Sequence, residues 1–445
     1  MNALVRPIPN RPVSQSTLHV VIIGGGIGGL TLAQGLKKAG VSVAVYERDQ
    51  TRTDRVQGYR VHINPVGSRA LHACLPSHLF EAFERTCGRP SKAMRFLTEN
   101  MDTLLTLSTE SASTDPIAIH RSVSRITLRQ VLLSGLEGVV QFGKAFTHYV
   151  TKPDGRIVAH FEDGTIAEGD ILVAADGGGS RVRRQLLPQA QRVDTGVMNI
   201  AGKVFLDGPN REKIAPVLLD GMSLVSAKGG VGLFIALQEL GYAGNGGIGG
   251  NDESVASSSH FDNTRSYLMW ALGAQREQLG LDCSGEALDS RQLKAIALRT
   301  MAGWNERFRD LVHLSDPDTL GTISIRTSVP VQPWETGRVT LLGDAIHSMT
   351  PYRGIGANVA LKDAWRLRDA LVAAHRGERD VIEAIRAYEA DMIRYGFAAV
   401  ENSRKAMEQT LTTSALQRTL SRTAFRMIDK VPALKRWMFA RAGEE

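Results

Sequence analysis

The run His19-Val20-Val21-Ile22-Ile23 passes without a break into Gly24-Gly25-Gly26-Ile27-Gly28-Gly29, and no other stretch limits the possible folds as sharply. Four consecutive β-branched residues read as a strand buried on both faces, as in a parallel sheet. Beyond the glycines, Leu30, Leu32, Ala33, Leu36 and Ala39 recur at helical spacing, and Gly40 stops that helix. Val41 to Tyr46 then reads as a second strand. Strand, glycine turn, helix and strand form one βαβ unit, which places the chain in the α/β class.

Within that unit, Gly24-x-Gly26-x-x-Gly29 is answered by Glu47 at the end of the second strand. This is the spacing of a Rossmann-type dinucleotide site. Gly24 permits the tight turn, Gly26 lets the backbone reach a pyrophosphate, and Gly29 lets helix and strand pack closely. Gly28 belongs to the same cradle, Glu47 is expected to accept hydrogen bonds from an adenosine ribose, and Arg48 follows it at the strand end. The same string recurs at Gly244-x-Gly246-x-x-Gly249, but Asn251-Asp252-Glu253-Ser254 follows where an apolar helix is needed, so it is rejected as a second nucleotide site.

A chain of 445 residues suggests two or three lobes around a shared crevice. No apolar run approaches the roughly 18 to 20 residues of a membrane-spanning helix. The formal charge of +7 is a mild excess over this length, without a basic block interleaved with aromatics, and this argues against nucleic acid. Cys74, Cys87 and Cys283 are odd in number and contain no Cys-x-x-Cys pair, so neither a disulfide framework nor a zinc site is indicated, and a reducing cytoplasm fits. Met1 to Ser16 lacks the apolar core of a secretory signal and reads as a disordered leader. Basic residues from Arg394 to Arg441 recur among apolar ones at helical spacing; a packed helical tail is expected, with an amphipathic membrane-surface helix as the alternative.

Between Gly58 and Asp170 strand-like and helical segments alternate, with a helix predicted from Ser124 to Leu136 and a hairpin turning at Pro153-Asp154-Gly155. Ile171 to Ala175 is a third buried strand. Half-buried strands such as Gly232 to Leu237 and Ser266 to Leu272 predict a mixed sheet with helices to one side, and Ala243 to Ser259 reads as a mobile loop. Val339 to Leu342 is another buried strand, and the chain is predicted helical from about Asn358 onward.

Two further motifs separate the cofactor possibilities. Ala174-Ala175-Asp176-Gly177-Gly178-Gly179-Ser180-Arg181-Val182-Arg183 follows one strand, and Gly343-Asp344-Ala345-Ile346-His347 follows another, with Pro351-Tyr352-Arg353-Gly354-Ile355-Gly356-Ala357-Asn358 entering a helix. Together with the first motif, these resemble the group A flavoprotein monooxygenases, the FAD-dependent aromatic hydroxylases of the p-hydroxybenzoate hydroxylase type. The resemblance covers both ends of the chain and the middle only in layout. It implies FAD as cofactor, with Asp344 at the ribityl or pyrophosphate region, Asp176 and Arg183 near the pyrophosphate and NAD(P)H, and Arg129 approaching FAD. Gly354, Gly356, Ala357 and Asn358 would pass the isoalloxazine ring, whose negative charge when reduced is met by helix N–H groups. Arg60 and His62 are the catalytic candidates, because the family chain passes the flavin there; His347 is expected to be a structural partner of its loop. No metal is implied.

The implied fold is a Rossmann-type FAD-binding domain with a mixed-sheet substrate domain and a helical C-terminal region. Its expected parts are a leader over 1–17, FAD-binding segments over 18–190 and 326–385, a substrate domain over 191–325 joined by a segment near 60–120, and a helical region over 386–445. The implied reaction is NAD(P)H reduction of FAD, addition of O2 at flavin C4a, and delivery of oxygen from the hydroperoxide. The product would be a hydroxylated or epoxidised hydrophobic small molecule, aromatic or polyketide-like, in secondary metabolite biosynthesis. The alternative is a non-redox cyclase of the same fold; a flavin-linked dehydrogenase and a non-enzymatic FAD module are weaker readings. Ile355 stands where the family often has Gln, and Arg353 is unusual, which touches substrate handling more than FAD binding.

Overall fold

The computed structural model describes residues 18–52, 60–108, 115–240, 265–281, 288–431 and 434. The expected leader, the Ala243–Ser259 loop with its glycine string, Gly58, Tyr59, Cys283 and the tail beyond Leu434 lie outside the described residues.

Five strands form a parallel sheet in the order Val339–Leu341, Ile171–Ala174, His19–Ile23, Ser42–Tyr46 and Val140–Gln141. The register sets Val20 beside Val43 and Ile171, so the β-branched run is central and fully buried, as an uninterrupted apolar strand requires. The helix Ile27–Lys38 packs on this sheet and against the long helix Gly356–His375. The predicted helix after Val123 runs Arg125–Leu133, later in its start than expected, because Ser124 is claimed by a strand pairing Arg121–Ser124 with Arg60–Ile63.

The second layer is a seven-stranded mixed sheet in the order Gly321–Ser328, Arg192–Phe205, Tyr267–Gln275, Gly232–Gln238, Gly221–Ser226, Ala93–Leu97 and Thr103–Ser108. Its side chains alternate with period two. Leu233, Ile235, Leu268, Trp270 and Leu272 enter a core with Leu293, Ile296, Phe308 and Leu311 of the helices Ser290–Thr300 and Glu306–Leu314. Phe234, Met269, Ala271 and Gly273 alternate with them and line a cavity. The C-terminal helices Val381–Thr410 and Ala415–Lys430 follow, and the latter packs on Thr103–Ser108. None of the described helices is long and apolar enough to cross a membrane.

Candidate functional site

A cavity of about 1100 Å³ opens along Gly24, Gly26, Gly28 and Gly29 and continues onto the apolar face of the seven-stranded sheet. Three of these glycines have separate physical reasons. Gly24 has φ of +109°, and a Cβ there would lie 2.4 Å from the Ala175 carbonyl oxygen. A Cβ on Gly29 would lie 2.2 Å from the Gly24 carbonyl oxygen, so this residue sets how closely helix and turn meet. At Gly26 a Cβ would meet nothing within 4 Å. That open space, at the N-terminus of the helix Ile27–Lys38, fits the pyrophosphate of a dinucleotide, which needs backbone N–H groups and the positive end of a helix.

Glu47 ends the second strand, 2% exposed, and accepts from the Gly25 N–H at 2.6 Å and the Asp49 N–H at 3.0 Å. Arg129 grips the other side of the same turn. Its Nε donates to the Gly25 carbonyl at 3.0 Å, and its guanidinium lies 3.3 Å from Asp49 and 3.8 Å from Glu47. Gly25 is thus held through both its N–H and its C=O. Glu47 and the exposed Arg48 line the cavity; Arg129 stands behind its wall.

The loop after Ile171–Ala174 is organised in the same way. Asp176 lines the cavity, with Oδ2 accepting from the Arg181 N–H at 2.9 Å and a buried Oδ1 without a partner among the described residues; burial pushes its pKa up. Arg183 lies behind it and donates to the Gly178 carbonyl at 3.1 Å and the Ala345 carbonyl at 2.7 Å, tying this loop to the one that carries Asp344. Asp344 itself faces the cavity at the head of the single helical turn Asp344–His347. Two of the contacts that fix Arg183 are charge-assisted, so Arg183→Met is expected to weaken FAD affinity about tenfold without unfolding the protein. Titration of the apoprotein with FAD checks this; an unchanged Kd would count against the tie.

His347 is fully buried, with Nε2 2.7 Å from Asp363, whose other oxygen accepts from the Tyr395 hydroxyl at 2.6 Å. Burial alone would lower its pKa, but Asp363 outweighs that and holds it raised. It does not line the cavity, and its contacts brace the loop. At Pro351–Asn358, Gly354 has φ of +64°, and Gly354, Gly356 and Ala357 line the cavity where the helix Gly356–His375 begins with unpaired N–H groups. Asn358 stands behind them, donating to the His62 carbonyl at 2.9 Å and accepting from the Asn64 N–H at 2.9 Å.

Arg60 and His62 alternate on one strand and both line the cavity. His62 Nε2 is 3.0 Å from Nδ1 of His120, a partner that lies 58 residues away and carries no local sequence signal. Burial, with smaller contributions from Arg60 and His120, pushes His62 down to about 3, so its imidazole is neutral. Burial likewise lowers Arg60 to about 10; its Nε has no partner among the described residues, and Nη2 lies 3.3 Å from Ser91 Oγ. Because the folded pKa of His62 lies below the unfolded value of about 6.5, its contribution to stability is complete above pH 6.5 and is lost as pH falls toward 3. His62→Gln should therefore flatten the decline of Tm between pH 6.5 and 4; equal slopes in the two proteins would contradict the assignment.

The sequence matches the family described as FAD binding domain over residues 17–403. The FAD-dependent urate hydroxylase of Klebsiella pneumoniae is 30% identical over 84% of this chain and 85% of its own length. A dual O-methyltransferase/FAD-dependent monooxygenase of Phaeosphaeria nodorum is 30% identical over 86% of this chain, which spans 44% of that protein, and the chain spans under half the length of other such two-function relatives. Among solved structures, Klebsiella pneumoniae HpxO complexed with FAD and uric acid superposes with a TM-score of 0.73 at 27% identity, covering 93% of this chain and 94% of that one. A glycine cradle shaped for a dinucleotide and a family match across most of the sequence lead to one conclusion: the chain belongs to the FAD-dependent flavoprotein monooxygenases of the group A aromatic-hydroxylase type.

Proposed function

We propose that this protein uses NAD(P)H and O2 to hydroxylate or epoxidise a hydrophobic small molecule, aromatic or polyketide-like, of secondary metabolism. The observation that carries the reading is the continuity of one cavity from the glycine cradle to the face formed by Met222, Leu224, Phe234 and Met269. A cofactor and an apolar substrate can share that space. When bound, FAD supplies acceptance of a hydride from the nicotinamide and activation of O2 for transfer of one oxygen atom.

This chain's own residues have assignable tasks. Glu47, with Arg48 beside it, receives the adenosine ribose, Asp176 and Asp344 take hydroxyl or N–H partners near the pyrophosphate and ribityl chain, and Arg129, Arg183 and Asn358 hold the loops from behind. N–H groups opening the helix Gly356–His375 at the cavity would be placed to stabilise the negative charge of a reduced flavin. The neutral His62–His120 pair can pass a proton through Nε2 and Nδ1 while the buried Arg60 stabilises a nearby negative oxygen. In this reading segments 18–190 and 326–385 hold the cofactor, 191–325 contributes most of the substrate wall, and a reducing cytoplasm suits the unpaired cysteines Cys74 and Cys87.

The test is NAD(P)H oxidation by the FAD-loaded protein, under air, with a panel of phenolic and polyketide compounds. We expect at least one compound to stimulate oxidation, with one O2 consumed per product. A product of unchanged oxidation level formed without oxygen would replace this reading with the non-redox cyclase.

A further inference from the structure

The helix Ala415–Lys430 is inverted relative to an ordinary surface helix. Leu416, Leu420 and Met427 point outward, 71%, 61% and 61% exposed, while Arg418, Arg422 and Phe425 line the cavity. Two of its inward polar groups have evident partners. Arg422 pairs with Glu99 and donates to the Ser226 carbonyl, and Asp429 accepts from the Thr106 N–H. Arg418 differs. Its residue is only 9% exposed, its Nη1 is sealed from solvent without a partner, and its side chain makes no ion pair or hydrogen bond among the described residues. A guanidinium is charged at any ordinary pH, and one largely withdrawn from water calls for a counterion.

We infer that Arg418 is the anchor of an anion subsite in the substrate chamber, and that the substrate carries an anionic oxygen group, a carboxylate or ionised phenol, on an apolar aromatic body. The body of the ligand would lie along Leu224, Phe234 and Met269, and its anionic end would meet Arg418 beside Gln409 and Thr410 at the end of the helix Val381–Thr410. Arginine suits this task because its planar fork can engage two oxygens at once. The inference rests on the cavity being the substrate chamber proposed above.

Calorimetric titration of the FAD-loaded protein with 1-anilinonaphthalene-8-sulfonate and with its neutral counterpart N-phenyl-1-naphthylamine tests it without turnover. The wild type is expected to prefer the sulfonate about tenfold or more. Arg418→Leu should abolish that preference with the neutral probe unaffected, and Arg418→Lys should keep part of it. If the Leu variant does not fold, displacement of the sulfonate from the wild type by 2-naphthoate but not by 2-naphthamide serves as the second readout. Equal affinity of the wild type for the two probes, a preference that survives in Arg418→Leu, or equal displacement by acid and amide would overturn the anion subsite. Failure of the neutral probe to bind at all would instead remove the chamber reading.

Discussion

Gly29→Val is expected to give a colourless, less stable protein. The new Cβ would sit 2.2 Å from the Gly24 carbonyl oxygen and 3.0 Å from Ala175 Cβ, so the helix Ile27–Lys38 must move off the turn. Neither neighbour can rotate away, because one is backbone and the other sits at the end of the strand Ile171–Ala174. Overpacking of this kind costs roughly 1–3 kcal/mol, and here the displaced backbone is the one that presents N–H groups to the pyrophosphate. Gly26→Ala separates packing from ligand approach. Its Cβ meets no protein atom within 4 Å and its φ of −81° suits alanine, so Tm should hold while FAD affinity falls at least tenfold. Thermal melts beside FAD titrations check both variants. Full FAD affinity in Gly26→Ala would mean that the open space above that residue is not where the pyrophosphate lies.

Glu47→Ala should also lose FAD, by a different route. The carboxylate holds the Gly25 and Asp49 N–H groups and lies 3.8 Å from a guanidinium that is itself buried. Removing it strands the buried Gly25 N–H, worth about 1–3 kcal/mol, and the half-buried Asp49 N–H, and leaves Asp49 as the nearest remaining carboxylate to Arg129. The turn should then relax, and the purified variant should contain little flavin even when FAD is added. Glu47→Gln keeps one acceptor and most of the volume, so it should retain intermediate affinity. Wild-type flavin content in Glu47→Ala would show that the carboxylate neither shapes the turn nor receives the ribose.

The cofactor end of the fold was legible in the sequence because its determinants are local. A buried strand, a turn needing φ above zero and a helix opening on glycine all fall within His19 to Lys38, and each leaves its own residue type. Residue types were easier to read than positions: Arg129, Arg183 and Asn358 stand behind the cavity wall, because a side chain that serves a ligand directly and one that holds the loop from behind occupy equivalent places in a motif. The substrate end was much less legible. Its wall is assembled from alternate residues of strands far apart in the chain, so Met94, Met222, Phe234 and Met269 become neighbours only through sheet register. His120 meets His62 through the pairing of Arg60–Ile63 with Arg121–Ser124, and Arg418 reaches the cavity from a helix on which Leu416, Leu420 and Met427 face outward. Neither relation has a periodicity to betray it.

The most direct measurement is mass spectrometry of the product formed under 18O2 by the FAD-loaded protein with NAD(P)H and a compound that stimulates its oxidation. The account predicts one labelled oxygen atom per product molecule, none of it from water. A product isomeric with its substrate, or one whose new oxygen comes only from water, would contradict it.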